Sequence, residues 1–141
     1  MTLEDLDETL PYGLHDALIR TMSHDYEAAS VKLEVEILVG LPGDAPPDRS
    51  RYRNGEVLFH RTLFCAVDVP GSARSLPHPG SIWFKFWRVE PGALMEKLTP
   101  LLTPETLCYS LYILEWESQI HIVAADVSFS WSDSDEAAVQ V

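Results

Sequence analysis

The sequence predicts a mainly β protein, α+β at most, built as a single-domain antiparallel sandwich or strongly curved sheet with short helices. The first observation is the unbroken alternation of apolar and charged residues from Val31 to Ile37. A period of two indicates a strand with one face on the core and one in solvent. The second is a similar alternation of Val127, Phe129 and Trp131 with polar residues. The third is the Asn54–Gly55 pair, which is typical of a two-residue hairpin turn.

The N-terminal residues predict a short helix that leans on the sheet. Leu3, Leu6 and Leu10 lie on one helical stripe, Thr2 is placed to cap its start, and Pro11 is placed to end it. A second short helix is expected over residues 94–101.

The remaining stretches predict further strands, about six or seven in all. A strand is expected from His15 to Tyr26, an aromatic strand from Ile82 to Arg88, and a closing hairpin from Leu107 to Trp116 and from Ser118 to Trp131. In the last stretch the apolar residues shift from even to odd positions at Ala124–Ala125. That shift predicts a β-bulge, because one extra residue keeps all of them on one face.

Two further expectations concern the core and the hairpin. The second arm of the Asn54–Gly55 hairpin is expected to run from Glu56 to Asp68. The residues on the apolar side of each alternation are expected to be buried, and they are Leu33, Val35, Ile37, Phe84, Phe86, Ile122 and Phe129.

Charge divides the 141 residues into a body and two acidic ends. The chain has 22 acidic and 10 basic residues, a net charge of −12, and seven of the acids lie within residues 4–8 and 133–136. We therefore expect one β-rich domain over residues 1–132 and an acidic disordered tail over residues 133–141. Negative charge repels phosphate backbones, so the sequence disfavours nucleic-acid binding and favours a basic protein partner.

Hydropathy and cysteine content predict a cytoplasmic protein without a membrane segment. No apolar run approaches the roughly 20 residues that a membrane helix needs. The N-terminus is acidic, whereas a signal peptide opens with basic residues. Cys65 and Cys108 each lie in an apolar run and are expected to be reduced, buried thiols.

The histidines are the candidates for catalysis or metal binding. Two His-Asp pairs occur, at His15–Asp16 and His24–Asp25, but adjacent residues of a strand point to opposite faces. The sequence has no Gly-x-Ser-x-Gly elbow, so a Ser-His-Asp triad has no motif to support it. We expect no catalytic residue, no metal and no cofactor. The alternative is a small hydrolase or ligand-binding enzyme that uses His15, Asp16 and His24 or His121.

The aromatic strand provides the candidate binding surface. Trp83, Lys85 and Trp87 share one face of it, while the other face already offers apolar residues for the core. The Trp83, Lys85 and Trp87 face is either covered by a helix or loop, or exposed for binding, because tryptophan is enriched at interfaces. We predict a protein–protein contact there, either with a basic partner or with a second copy of the chain.

One stretch resembles known proteins. The run from Leu10 to Ala17, with His15–Asp16 before a strand, resembles the opening of YxiG-like uncharacterised bacterial proteins, and it is similar to the His-Asp opening of immunity proteins from polymorphic-toxin systems. Arg51–Tyr52 before a predicted hairpin fits that outline. The resemblance implies a small β-rich domain without assigned catalytic residues, and the immunity comparison implies capture of a basic toxin domain.

Overall fold

The chain forms a helix and eight antiparallel strands over the residues that the computed structural model describes, namely 1–40, 43–46, 50–71, 80–89, 96 and 100–132. The elements are α1 (Leu3–Thr9), β1 (Leu18–Asp25), β2 (Ser30–Leu38), β3 (Tyr52–His60), β4 (Phe64–Val67), β5 (Ile82–Arg88), β6 (Leu107–Ile113), β7 (Ser118–Ala124) and β8 (Asp126–Trp131). The predicted mainly β fold class is therefore confirmed.

The eight strands follow the order β4-β7-β6-β5-β1-β2-β3-β8 in one open sheet. At the centre, β1 and β5 share only two residue pairs, Leu18 with Trp83 and Ile19 with Ile82. Phe59 of β3 and Tyr109 of β6 nevertheless lie with ring centroids 6.3 Å apart. A flat sheet would hold these two strands roughly 19 Å apart, so the sheet folds over at the β1–β5 joint and packs on itself.

Two neighbouring corners carry the chain from one half of the sheet to the other. After β3, Arg61 takes the left-handed conformation and the chain turns into β4. After β7, the chain bends at Ala125 and enters β8, whose partner is β3 instead of β6. The Ala125 N–H donates to the His60 carbonyl at 3.0 Å, which ties the two corners together.

α1 closes one end of the packed sheet, as its leucine stripe predicts. Thr2 is the N-cap: its hydroxyl accepts from the Asp5 N–H, and the Asp5 carboxylate accepts from the Thr2 N–H. Leu3 and Leu6 are buried in the main core. The Leu3 N–H donates to the phenol oxygen of Tyr109 at 3.0 Å, so the first turn of the helix is fixed to β6.

The predicted hairpin turn at Asn54–Gly55 is wrong. Both residues lie inside β3, where Gly55 pairs with Val35 on one side and Trp131 on the other. A Cβ atom at Gly55 would lie 2.6 Å from the Phe129 ring. Glycine at this position is therefore explained by the close approach of an aromatic ring to the strand. The Asn-Gly pair is also typical of hairpin turns, which is why the sequence alone predicted a turn here.

Three predicted strand bounds also change. The strand expected from His15 begins at Leu18, because Gly13 and Asp16 are left-handed and hold residues 11–16 in turns. The arm expected from Glu56 to Asp68 is divided into β3 and β4 by the Arg61 corner. The β-bulge predicted at Ala124–Ala125 is wrong: the chain breaks there between β7 and β8, which pair in different halves of the sheet.

The main core lies between the two halves of the sheet. Of the residues predicted to be buried, Leu33, Val35, Ile37, Phe84 and Ile122 are buried. Phe86 and Phe129 are half-buried and pack against the core, because Phe86 lines an open cleft and Phe129 lies on the edge strand β8. The expected tail over 133–141 and most of the expected helix over 94–101 lie outside the described residues.

Candidate functional site

The outer face of β5 carries two exposed tryptophans. The side chains alternate along the strand, so Ile82 and Phe84 are buried in the core while Trp83 and Trp87 are 39% and 43% exposed. Lys85 lies between the tryptophans on the same face and is exposed. We call Trp83, Lys85 and Trp87 the tryptophan face.

The neighbouring strand β6 borders the tryptophan face, with Tyr112 half-buried and Ser110 buried on the same side of the sheet. Lys85 pairs with Tyr112 and Trp87 pairs with Ser110 in the antiparallel register. The backbone at Trp83 is held by Glu115, whose two carboxylate oxygens accept from the Trp83 N–H at 2.7 and 3.0 Å. The tryptophan face therefore lies on a strand that pairs with β6 from Phe84 to Arg88 and with β1 only at Ile82 and Trp83.

A cleft of about 330 Å³ opens beside Trp83. It brings together residues that the sequence assigned to two different candidate sites, since both the tryptophan face and the His15–Asp16 pair contribute to it. The residues that line the cleft are Asp7, Leu14, His15, Asp16, Trp83, Phe84, Lys85, Phe86 and Leu114.

The turns before β1 shape the polar side of this cleft. Asp7 of α1 accepts from the Leu14 N–H at 2.6 Å. Gly13 is left-handed, and a Cβ atom there would lie 2.4 Å from the Asp7 carboxylate, so the turn needs glycine. His15 Nδ1 lies 3.0 Å from the Asp16 carboxylate; the His15 side chain is 80% exposed to solvent and the Asp16 side chain is 43% exposed.

The other histidines of the alternative polar site lie elsewhere. His24 is six residues beyond Leu18 along β1, roughly 20 Å away at the strand rise, and its ring stacks on Tyr26 with centroids 4.3 Å apart. His121 lies on β7. His15, Asp16, His24 and His121 therefore do not meet at one site.

His121 instead belongs to a cluster that the sequence did not reveal. Its Nε2 lies 3.0 Å from the Asp68 carboxylate and its Nδ1 lies 3.0 Å from the Ser110 hydroxyl. Because a carboxylate only accepts, Nε2 carries a hydrogen and donates it to Asp68, and the Ser110 hydroxyl bonds the other ring nitrogen, Nδ1. Asp68 lies 42 positions from Ser110 and 53 from His121 in the sequence. Only the pairing of β6 with β7, and of β7 with β4, brings the three residues together.

The exposure of this cluster is the reverse of what a serine hydrolase needs. The Ser110 residue is only 3% exposed, whereas the Asp68 side chain is about half exposed. A nucleophile must be reachable by its substrate, and the orienting carboxylate is the member that is usually enclosed. The cluster therefore ties the segment after β4 to β6 and β7.

The cysteines and acidic groups give no metal site in the part of the chain that the structure describes. No group of three or more His, Cys, Asp or Glu side chains there could hold an ion. Cys65 is half-buried, unlike the fully buried thiol expected, and burial raises its pKa. Cys108 is buried, and neither forms a disulfide.

Comparison of the chain with protein-family models, with curated proteins and with solved structures finds no match. Among the described residues, α1 is too short to cross a bilayer, and no other helix there reaches the length and hydrophobicity that a membrane span requires.

Proposed function

We propose that this chain is a non-enzymatic protein-binding domain that captures a basic partner through the tryptophan face. The observation that carries the proposal is the exposure of Trp83 and Trp87 on one side of β5. The core does not need these rings, because Ile82 and Phe84 already fill it from the opposite side. Exposed apolar patches on a rigid element are typical of association sites.

Tryptophan is the side chain that most often dominates the energy of an interface. It buries a large rigid area and loses little conformational freedom, and such residues cluster near the centre of a contact. The cleft beside Trp83 adds a concave pocket lined by Leu14 and Leu114, into which one side chain of a partner fits. One surface therefore offers two aromatic side chains that a partner can bury and a pocket that can hold a side chain of the partner.

The net negative charge of the molecule favours a positively charged partner. The net charge is −12, and the cleft itself presents Asp7 and Asp16 against the single ammonium of Lys85. A basic partner is attracted over a distance set by the Debye length, about 8 Å at physiological ionic strength.

A bacterial immunity protein is the class that this proposal favours. The support is the similarity of the Leu10–Ala17 run to immunity proteins, together with the acidic charge and the exposed aromatic face. The partner in that case is a basic toxin domain, and the place of action is the cytoplasm, where such a toxin is neutralised.

The test titrates basic candidate domains, taken from the genes adjacent to this one, calorimetrically into the purified chain. Trp83→Ala and Trp87→Ala should each weaken binding by about 2 kcal/mol or more, roughly 30-fold in Kd. Tyr26→Ala is the matched control, because Tyr26 is an exposed aromatic residue on the turn between β1 and β2. Binding should weaken as salt rises. Tryptophan variants that fold and bind like the native chain would remove the proposal.

A small hydrolase remains the second candidate, and the specific observation in its favour is the Asp68–His121–Ser110 chain of hydrogen bonds. The burial of Ser110 argues against it. Assays with p-nitrophenyl esters decide between the two: turnover by the native chain that is lost in Ser110→Ala and in His121→Gln, but kept in His15→Gln, would establish an enzyme.

A further inference from the structure

The cleft beside Trp83 is lined by aromatic rings from one element and by carboxylates from two other parts of the chain. Trp83 and Phe86 belong to β5, Asp7 belongs to α1, and Asp16 ends the turns before β1. The cleft volume of about 330 Å³ is at the small end of the roughly 300–1,000 Å³ that is usual for ligand pockets. A cleft of this size suits a single side chain of a partner better than a whole peptide segment.

The two carboxylates of the cleft have no lysine or arginine partner in the described part of the chain. Asp7 accepts from the Leu14 N–H, and the Asp16 carboxylate contacts His15 Nδ1. Lys85 lines the same cleft, and among the described residues it forms no ion pair with either carboxylate. A carboxylate has about four acceptor positions, so both groups can accept further hydrogen bonds.

The backbone of β5 adds an acceptor on the same side. The Trp83 carbonyl accepts from the Leu114 N–H at 3.2 Å, so Trp83 bonds toward the β6 side of the strand. Bonding directions alternate along an antiparallel strand, and Phe86 therefore directs its carbonyl to the opposite side, toward β1. There β1 pairs with β5 only at Ile82 and Trp83. The Phe86 carbonyl thus lies beyond the paired residues, on the side where the turns before β1 line the cleft.

We propose that the cleft beside Trp83 holds the guanidinium of an arginine side chain of the partner, an inference that rests on the proposed function. A guanidinium has five N–H donors and no acceptor, which matches a cleft whose polar groups are the two carboxylates and a carbonyl. Its planar face stacks on aromatic rings, and tryptophan gives the strongest cation–π attraction of the three aromatic side chains. The apolar stem of the arginine packs on Leu14 and Leu114.

The cleft should prefer arginine to lysine. A lysine ammonium is a compact, strongly hydrated charge, and it neither lies flat on an aromatic ring nor offers a planar fork of donors to a carboxylate. Lys85 sets a limit on the affinity, because its own positive charge lines the cleft and repels any cation that enters. Removal of that charge should therefore tighten the binding of arginine.

An NMR titration of the isotope-labelled full chain with Nα-acetyl-arginine amide tests this site. The indole N–H signal of Trp83 and the backbone N–H signals of His15 and Asp16 should shift and saturate, because these residues line the cleft. The lysine amide should bind more weakly. The citrulline amide, which has nearly the same shape without the charge, should not bind. The absence of any shift at the cleft, or a lysine or citrulline amide that binds as tightly as the arginine amide, overturns the proposal.

Single substitutions test the role of charge in the cleft. Asp16→Asn should weaken the binding of the arginine amide roughly fivefold, which is what one partly exposed ion pair contributes. The turn should persist, because asparagine also tolerates the left-handed conformation that Asp16 has at φ 62°. Glu27→Gln is the matched control: it removes one negative charge from the exposed turn between β1 and β2 and should leave the affinity unchanged. Lys85→Gln should tighten binding. An Asp16→Asn variant that binds like the native chain, or a Lys85→Gln variant that binds more weakly, overturns the proposal.

The same titrations separate this inference from the proposed function. If a basic partner is captured through Trp83 and Trp87 but the arginine amide leaves the cleft signals unchanged, the guanidinium site is wrong and the proposed function stands. If the arginine amide binds as expected but the tryptophan variants capture basic partners like the native chain, the proposed function is wrong and the guanidinium site stands.

Discussion

Gly55 shows, at the level of one residue, why the Asn-Gly motif predicted a turn that the structure does not have. Asn54–Gly55 has the composition of a hairpin turn, but its partners in the sheet, Val35 and Trp131, are far away in the sequence. The Phe129 ring lies against the glycine, so the absence of a side chain serves packing instead of a left-handed turn. A contact of that kind leaves no signal in a short window of sequence.

Gly55→Ala is expected to destabilise the chain by about 1–3 kcal/mol, because the new methyl group would overlap the Phe129 ring and must displace it. Urea unfolding measures the change. Gly43→Ala is the matched control, since no atom lies within 4 Å of a Cβ there, and it should change stability by less than about 0.5 kcal/mol. Equal stabilities for the two variants would show that Phe129 does not press on β3.

The tryptophan face is a residue-scale feature that the sequence could place. The alternation in Ile82–Arg88 already assigned Trp83, Lys85 and Trp87 to one side of a strand, and the structure has them on one side. The sequence left open whether a helix or loop covers them, because exposure depends on what the rest of the chain packs there. The Ser110–His121 contact, in contrast, could not be placed from the sequence, because the two residues become neighbours only through the register of β6 and β7.

At the scale of elements, α1 is held by a polar cluster around Tyr109. The phenol donates to the Glu4 carboxylate and accepts from the Leu3 N–H, while Arg88 bonds Glu4 at 2.9 Å. Burial, followed by the bond to Glu4, raises the pKa of Tyr109 to about 12. Burial alone would raise the pKa of Glu4, but its bonds to Tyr109, the backbone and Arg88 outweigh that effect and lower it.

Acid is therefore expected to release α1. The pKa of Glu4 is lower in the folded chain than its ordinary value of 4.5, so its stabilising contribution is complete above pH 4.5 and is lost as the pH falls through the folded value. The pKa of Asp5 is lowered by the Thr2 backbone bond, and that of Asp126 by the N-terminal ammonium, so both act in the same direction. All three carboxylates hold the N-terminal segment.

Hydrogen exchange of residues 1–10 measures this release. Once the intrinsic exchange rate is corrected for pH, protection of these residues should fall below pH 4.5, before the interior strand β2 loses its protection. In the Glu4→Gln variant, residues 1–10 should already be less protected from exchange at neutral pH than in the native chain. Their protection should also change less as the pH is lowered. Simultaneous loss of α1 and β2 would contradict a separate release of the helix.

At the scale of the whole molecule, the two halves of the sheet depend on each other for their core. Phe59 of β3 and Tyr109 of β6 are fully buried and meet edge to face across the halves. The β1–β5 joint has only two paired residues, so backbone pairing there contributes little to holding the halves together. The packed side chains hold them, and the two corners at Arg61 and Ala125 limit how far they can separate.

Phe59→Ala is expected to cost about 3–5 kcal/mol, because it leaves a cavity between the two halves. Both halves should unfold in a single transition, followed by circular dichroism and by tryptophan fluorescence. Phe64→Ala is the matched control: Phe64 is 38% exposed on the edge strand and should cost much less. Two separate transitions in the native chain would show that the halves are independent.

The sequence by itself determined the β class, the capped N-terminal helix, the strand at residues 30–38 and the position of the break near Ala124, because each depends on local periodicity or capping. The tertiary structure decided the rest. The fold-over at β1–β5, the strand order, the place of Gly55 inside β3 and the joining of His15–Asp16 with Trp83 in one cleft all depend on residues far apart in the chain. Their physical reason is packing: the apolar faces of the two sheet halves can be buried only against each other, and that contact sets which side chains become neighbours.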